Sequence, residues 1–478
     1  MPRIGTDEWV AQVEERVDRR GGRAAPLLQA WERTTQRQRF AVFLAAAAVF
    51  PFLTGSDYHV RVGINVLLLA LLALGLNIVV GWTGLLDLGY IAFYGFGAYG
   101  YAWVSSGHFD LHWPTEAAIV AVVVASALLG LLLGLPSRRL IGDYLAIMTL
   151  FFAQIFFELL VNLDRIDLPW SERTLNLTGG PNGIPGVDRM TIFGVDLTGF
   201  QDYYFLLLIL IALTVTGLHR LNQSRTGRAF RAVRDDPLAA EMMTMPVNWL
   251  KLLAFSMGAA VAGLTGTVFA AVQVGTFPQN FQVMLLITIY AALILGGSGS
   301  IPGAILGAVV VASVPEVLRT PDAARWLFYL GLSLALVWLV RPWQRLAGVV
   351  TATVALGFAL HAIVGAAWSA GTAGEPAQGG VIASGIDAWV VLPAEEQRTI
   401  GSFAFVALIV AVLALTRLRG WHRLALLPPT LYLGAFVWEN RLVFEPSITR
   451  QLLFGAVLVV MMAARPHGLL GTPRVEIV

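Results

Sequence analysis

The sequence predicts an all-α, polytopic membrane protein: a bundle of apolar helices, broken or made re-entrant where glycine is dense, with extra spans toward the C-terminus. Three observations predict it. Only 13% of the 478 residues are charged, against about 25% in a soluble domain, so lipid is the solvent that fits. Mean hydropathy is +0.72, and several runs of about 17 or more residues pass with almost no charge, the length a helix needs to cross a bilayer. The loops between these runs carry arginine on alternate sides. A β-barrel would show ten-residue alternating segments instead.

Residues 1–39 read as a retained cytoplasmic arm with an amphipathic helix, WVAQVEERVDRR, because the stretch is too long and too acidic for a signal peptide. Candidate spans follow at about 40–54, 62–80, 90–106, 115–135, 144–162, 202–218, 251–274, 282–297, 303–318 and 325–341. A last group falls near 346–368, 399–416, 424–438 and 450–464, and 282–318 reads either as two crossings or as one re-entrant pair. Cationic loops face the cytoplasm. With the N-terminus inside, the inward loops are SRRLIGD (137–143), Arg225–Trp249, RPWQR (341–345), RLRGWHR (417–423) and the tail ARPHGLLG. The outward loop 163–200 mixes both signs. Parity and charge agree on an even number of spans with both termini cytoplasmic.

The glycines divide into two kinds. Gly299, Gly303 and Gly307 recur four apart, as do Gly258, Ala262 and Gly266, so each set makes a small-residue stripe that lets helices approach in lipid. In GWTGLLDLGYIAFYGFGAYGYAWV the glycines are too dense for a smooth helix, each costing about 1 kcal/mol against alanine. Asp87 sits among them. An intramembrane carboxylate is a functional candidate, whereas at the cytoplasmic interface, where parity puts it, it would simply be solvated. Both readings stand at this stage.

Much chemistry is excluded. Without cysteine there is no disulfide, thiolate nucleophile or Cys-based metal site. Lys251 is the one lysine and has no Gly-Lys-Ser/Thr around it, so a standard Walker A loop is ruled out. The histidines show no metal-ligand spacing, and no Gly-x-Ser-x-Gly elbow occurs. No metal site, catalytic residue or bound cofactor is expected, and no basic tract interleaved with aromatics points to nucleic acid. The spans also lack the chains of carboxylates and histidines expected for proton or sodium coupling. Energy for uphill transport would come from another subunit.

One polar stretch stands between apolar spans: RTGRAFRAVRDDPLAAEMMTMPVNW, Arg225–Trp249. Its arginines read as the inside-facing topology signal. Asp236 is a good N-cap and Pro237 a good first helical residue. LAAEMMTM then predicts about two helical turns, ended by Pro246. Leu238, Met242 and Met245 would lie on one side, and methionine suits adaptable contacts. A helix resting on lipid headgroups is the alternative.

At these residues a family becomes recognisable. DDPLAAEMMTMPVNWLKLLAFSMGAAVAGLTGTVFA resembles the coupling segment and following helix of bacterial ABC-importer permeases for branched-chain amino acids, in their M-type subunit. GWTGLLDLGYIAFYGFGAYGYA, GDYLAIMTL, LTGGPNGIPGV, LGGSGSIPGAILGA and RPHGLLG match in the same order. The resemblance spans about residues 81–318 plus the last few.

It implies an ABC-importer permease bundle in the bacterial inner membrane, paired with a homologous H-type permease. Two cytoplasmic ABC ATPases would bind below and use ATP with Mg, and a periplasmic substrate-binding protein would deliver substrate above. The coupling helix maps onto Asp235 to Met245, with Ala239, Ala240 and Glu241 as its core and Asp236, Pro237 and Met242 around it. Gly84, Asp87, Gly89, Tyr90 and Gln154 are the candidate pathway residues. Thr178, Gly179, Gly180, Pro181, Asn182 and Gly183 match the family's Gly/Pro-rich periplasmic loop, near the pathway mouth or the docked binding protein. A rigid turn with a structural role alone is the other reading of that loop.

The chain departs from the pattern where the family has a small polar residue at Asp87, often His at Tyr90, and an acidic residue near Gln154. By domain, 40–344 is the permease core, with a coupling loop at 219–250 and a periplasmic loop at 163–200. The block 345–440 is an insertion or partial duplication, and 441–478 holds the final span and cytoplasmic tail. A urea or short-amide permease, or a stand-alone transporter or channel, are the alternative functions.

Overall fold

The computed structural model describes residues 36–137, 142–167, 174–317, 321–340, 343–374, 383–418 and 420–442, with isolated positions among the rest and a final run at 468–470. The expected N-terminal amphipathic helix, most of SRRLIGD and most of the expected span 450–464 lie outside the described residues.

Apolar runs form helices in the expected order. They are α1 (Gln36–Thr54), α2 (Asp57–Leu76), α3 (Tyr90–Val104), α4 (Thr115–Ser137), α5 (Asp143–Asn162) and α6 (Phe200–Gln223). Two short polar helices follow, α7 (Arg225–Asp235) and α8 (Pro237–Met242). Then come α9 (Val247–Gln273), α10 (Val283–Gly296), α11 (Ile301–Val317), α12 (Pro321–Leu339), α13 (Trp343–Ala367), α14 (Gln397–Arg417) and α15 (Trp421–Val437). Among the described residues, eight helices are long and apolar enough to cross a membrane, and three shorter apolar helices accompany them.

Burial sorts the helices. The most apolar window of α2, with its extension to Trp82, is 83% buried, whereas that of α14 is 6% buried. The first is therefore the axis of the bundle, and the second faces outward over nearly its whole length. Around α2 pack α9, α11 and α6, and α3 and α4 close on α9. Small residues allow these approaches. A methyl group added at Gly97 of α3 would meet the backbone of Gly263 in α9, and one at Gly130 of α4 would lie 2.6 Å from the Cβ of Ala259. The glycines at 95, 97 and 100 thus do not break the helix as expected; they let its backbone sit against a neighbour.

The break comes earlier. After Leu76 the helix widens into a π-helix, Asn77–Trp82, and then leaves helical geometry until α3 begins at Tyr90. The pair α10–α11 settles another open point. Gln279, just before α10, donates to the carbonyl of Pro181 on one end of the bundle, and the turn between the helices meets Trp82 on the other. Beyond α11, Arg319 returns to the first end and donates to the Tyr58 hydroxyl at 2.6 Å. Each of the two helices therefore runs from one end of the bundle to the other rather than turning back within it.

That first end is roofed by loops. Ile184–Pro185 pairs antiparallel with Gly275–Thr276, and the Asp188 amide donates to the Ser105 carbonyl at 2.7 Å. In the region expected as an extra block, α13 and α14 pack on α15. A buried ion pair joins this region to α12: Arg325 Nη2 lies 3.0 Å from Glu439 Oε2, with the Tyr329 hydroxyl 3.1 Å from Glu439 Oε1. Phe328 stacks on Trp438 beside it, with centroids 4.3 Å apart.

Candidate functional site

The polar stretch between α6 and α9 builds the site at the opposite end. Ser224 caps α7 by accepting from the Gly227 amide at 3.2 Å. Gly227, Phe230 and Val233 turn inward, while Arg228 and Arg231 donate to carbonyls at the end of α6. Asp236 caps α8, its Oδ1 accepting from the Leu238 and Ala239 amides at 2.9 and 3.1 Å, and Pro237 follows as the first helical residue.

The helix is shorter than expected. It stops at Met242, because Thr244 takes a left-handed φ of 60° and the Met245 amide folds back to the Ala240 carbonyl. Ala240 is buried under the helix, whereas Asp235, Asp236, Ala239 and Glu241 are exposed. Leu238, Met242 and Met243 are each more than two-thirds exposed. Met243 takes the outward place expected of Met245, which packs against the core.

One arginine of this segment goes inward. Arg234 donates to the carbonyl of Gly81, and its stem lies over Gly84. Gly84 has φ of 70°, and a methyl group there would sit 3.1 Å from Arg234 Cγ. A methyl group on Gly299 would crowd Arg234 Nη1 at 2.9 Å. Glycine is thus favoured at Gly84 and Gly299 by their positive φ, with Arg234 lying close beside both. The node is closed by Trp82 Nε1 donating to the Gly299 carbonyl at 3.1 Å and by the Gly299 amide donating to Asn77 Oδ1 at 2.7 Å. It ties the coupling-like segment to the broken end of α2 and to the α10–α11 turn. Gly299 therefore lies in a turn with φ of 91°, not on the helical stripe expected of it, since α11 begins at Ile301.

The remaining small residues pack as expected in kind. Gly303 and Gly307 meet the backbone of Gly296 and Ala292 in α10, Gly258 meets Val79, and Gly266 meets the backbone of Tyr94.

Asp87 is 1% exposed and so is not solvated at an interface. Its Oδ1 accepts from the Gly89 amide at 2.9 Å, and its backbone carbonyl accepts from the Tyr290 hydroxyl at 2.8 Å. It borders a small cavity with Phe93, Leu133, Met148, Thr149, Phe152 and Phe255. Gly89 lies against the Thr149 carbonyl, and Tyr90 is fully buried at the start of α3. Asp87 and Gly89 are thereby brought together beside Tyr90, whereas Gly84 lies apart, under the stem of Arg234. Gln154 is not among them. It lies on the exposed face of α5, where its Nε2 donates to Glu158 Oε1 at 3.0 Å, followed one turn on by Asn162.

The loop from Thr178 to Gly183 sits on the far end. Gly179, Gly180 and Gly183 all have positive φ, Gly180–Asn182 form a single tight turn, and Thr178 is buried. Trp103 Nε1 donates to the Leu177 carbonyl at 2.7 Å, and Gln279 holds Pro181. The segment is braced against the end of α5, Trp103 of α3 and the loop that joins α9 to α10.

Comparison with known proteins gives a consistent result. The family profile described as branched-chain amino acid transport system / permease component matches residues 60–340, from the start of α2 through α12. The high-affinity branched-chain amino acid transport system permease protein LivM of Salmonella typhimurium is 33% identical over 338 residues, covering 65% of this chain and 76% of that protein. LivM of Escherichia coli K12 is 34% identical over 330 residues, covering 64% and 74%. The autoinducer 2 import system permease protein LsrC of Klebsiella pneumoniae is 30% identical over 148 residues, covering 30% and 40%. No solved structure matches.

Proposed function

We propose, from the premise that this chain belongs to the branched-chain amino acid transport permease family, that it is the transmembrane permease subunit of an ATP-driven importer of branched-chain or chemically related amino acids. It sits in the bacterial inner membrane with both termini cytoplasmic. Its partners are an H-type permease, two cytoplasmic ATPases that use ATP with Mg, and a periplasmic binding protein.

The observation that carries this reading is the α7–α8 segment. A capped helix offers Leu238, Met242 and Met243 to solvent, a patch that suits a partner protein with an adaptable groove. Directly behind it, Arg234 reaches the carbonyl of Gly81, so displacement of α7 bears on the broken end of α2 and on the loop holding Asp87. Asp235 to Met242 act as the coupling helix. Gly84, Asp87, Gly89 and Tyr90 form the inner part of the pathway, and Thr178 to Gly183 cover its outer end. A second support comes from α5. Gln154, Glu158 and Asn162 are hydrogen-bonded polar groups on the outward face of a membrane-length helix. Gln154 lies away from the helix ends. A polar group at such depth faces a partner or water rather than lipid, which makes this face the side turned to the H-type subunit, with Glu158 and Asn162 continuing it to the end of the helix.

Glu241→Arg tests the coupling role. In the reconstituted importer the variant loses the ATPases on pull-down and loses ATP-driven leucine uptake, while the permease itself remains folded. Unchanged assembly together with unchanged uptake would sink the coupling assignment.

A further inference from the structure

A cleft of about 420 Å³ opens on the end opposite α7 and α8, within the roughly 300–1,000 Å³ typical of small-molecule sites. Three elements wall it. Asp57 opens α2, Thr198 to Tyr203 lead into α6, and Ala271, Val272 and Val274 close α9. Arg189 comes from the loop before α6.

The charges in this cleft are arranged unusually. Asp57 and Arg189 are both exposed, and neither side chain forms a hydrogen bond or ion pair with the other or with any other described residue. Asp202 is committed to the rim, where its Oδ2 accepts from the Thr198 and Gly199 amides at 3.1 and 2.8 Å. Arg61, near Asp57, is engaged over the ring of Phe200 at 4.5 Å. Tyr203 fixes the position of Arg189 from behind, its hydroxyl accepting from the neighbouring Met190 amide at 3.1 Å.

The floor is apolar, made by Phe200, Ala271, Val272 and Val274. Val274 adds a second observation, because it holds a left-handed φ of 53°. For a β-branched residue that conformation is a strained outlier, and such strain clusters at functional sites. Val274 ends α9 as a left-handed C-cap whose amide donates back to the Ala270 and Ala271 carbonyls. The adjoining loop holds it there, since the Val274 carbonyl accepts from the Gly186 and Val187 amides at 3.1 and 3.3 Å.

We propose that this cleft binds a free zwitterionic amino acid with an apolar side chain, its carboxylate on Arg189, its ammonium on Asp57 and its side chain on Val272 and Val274. A cationic cleft would take any anion and an apolar one any hydrocarbon. Two unspent charges of opposite sign beside an aliphatic floor select a molecule carrying all three features. The inference rests on the importer reading above and gives it an outer reception site on this chain.

The test is a titration of the purified full-length chain in lipid nanodiscs, without ATPases or binding protein. The probes are L-leucine, 4-methylpentanoate, which lacks the ammonium, and 3-methylbutylamine, which lacks the carboxylate. Leucine binds more tightly than either analogue. Arg189→Gln weakens leucine and 4-methylpentanoate about three- to tenfold, the range for charge-assisted contacts partly screened by water, and leaves 3-methylbutylamine unchanged. Asp57→Asn does the reverse, and Arg189→Lys restores part of the leucine affinity.

Leucine binding that ignores both neutral variants, or no leucine binding at millimolar concentration, overturns the assignment. So does a defect of either variant confined to capture of the binding protein. Uptake by the reconstituted wild-type importer, measured in parallel, separates the two claims. Persistent leucine uptake with insensitive binding overturns the cleft alone, whereas absence of any amino-acid uptake overturns the importer reading.

Discussion

Trp82 and Gly299 stand 217 positions apart and are joined by an indole N–H donated to a backbone carbonyl at 3.1 Å. Around that bond meet the widened end of α2, the α10–α11 turn and Arg234 of α7. The turn is held from the other side by Asn77, whose Oδ1 accepts the Gly299 amide and which is itself fully buried.

Asn77→Ala removes that acceptor and leaves the Gly299 amide without its partner. An orphaned buried donor costs about 1–3 kcal/mol. The expected result is a lower Tm in detergent by thermal scanning, with faster deuterium exchange at Gly299. An unchanged Tm would show that the turn is held by Trp82 and Arg234 alone.

Asp236→Ala strips the cap from α8, since Asp236 Oδ1 is the acceptor for two amides of its first turn. The loss is about 0.5–2 kcal/mol of local helix stability. The global Tm is expected to stay put while ATP hydrolysis in the assembled importer uncouples from uptake. Full coupling in this variant would argue that α8 is ordered by its partner rather than beforehand.

The buried pair Arg325–Glu439 makes a prediction about charge balance, with both side chains 2% exposed or less. Glu439→Leu removes the buried carboxylate that faces the guanidinium and is expected to cost roughly 3–5 kcal/mol. Replacing both, Arg325→Met with Glu439→Leu, is expected to recover most of the loss. Thermal unfolding of the two variants side by side checks this, and equal Tm values would contradict it.

A pH response belongs to the roof at the other end. His112 Nδ1 lies 2.5 Å from Asp188 Oδ2, and its Nε2 lies 3.4 Å from Asp110. The hydrogen bond to Asp188, then its charge, raise the histidine pKa above its ordinary value. A raised folded-state pKa means that the contribution is fully present below about pH 6.5 and is lost as the pH rises through the raised value. The protection factors of the amides at residues 187–189, with base-catalysed intrinsic exchange divided out, should therefore fall on moving from acid to alkaline conditions. His112→Gln should flatten that dependence.

Local chemistry was legible in the sequence, and lateral contacts were not. Asp236 followed by Pro237 announced a helix start and the structure has one there, because both signals act within a single turn. The helix end was misplaced, since nothing in MTM marks Thr244 as left-handed. Gly303 and Gly307 pack as their spacing implies. Gly299, at the same spacing, serves a turn, because periodicity does not say where a helix begins. Asp87 was given its height in the membrane by counting spans, but height does not specify cover, and its burial depends on Tyr290, Thr149 and the helices around them. Arg234 looked like one more topology arginine. Its partner lies 153 positions away, and the available hint was the row of glycines leaving room for it.

Residues 468–470 carry a consequence for how the protein is made. The Leu469 and Leu470 amides donate to the carbonyls of Leu295 and Gly296, both at 2.9 Å, supplying partners for groups that a helix end otherwise leaves open. These donors leave the ribosome only after the whole of α12 to α15 has been synthesised. The end of α10, one wall of the Trp82–Gly299 node, therefore stays chemically unfinished through the insertion of every later span. A chain arrested before Gly468 would possess all the residues of that node and lack these two closing bonds.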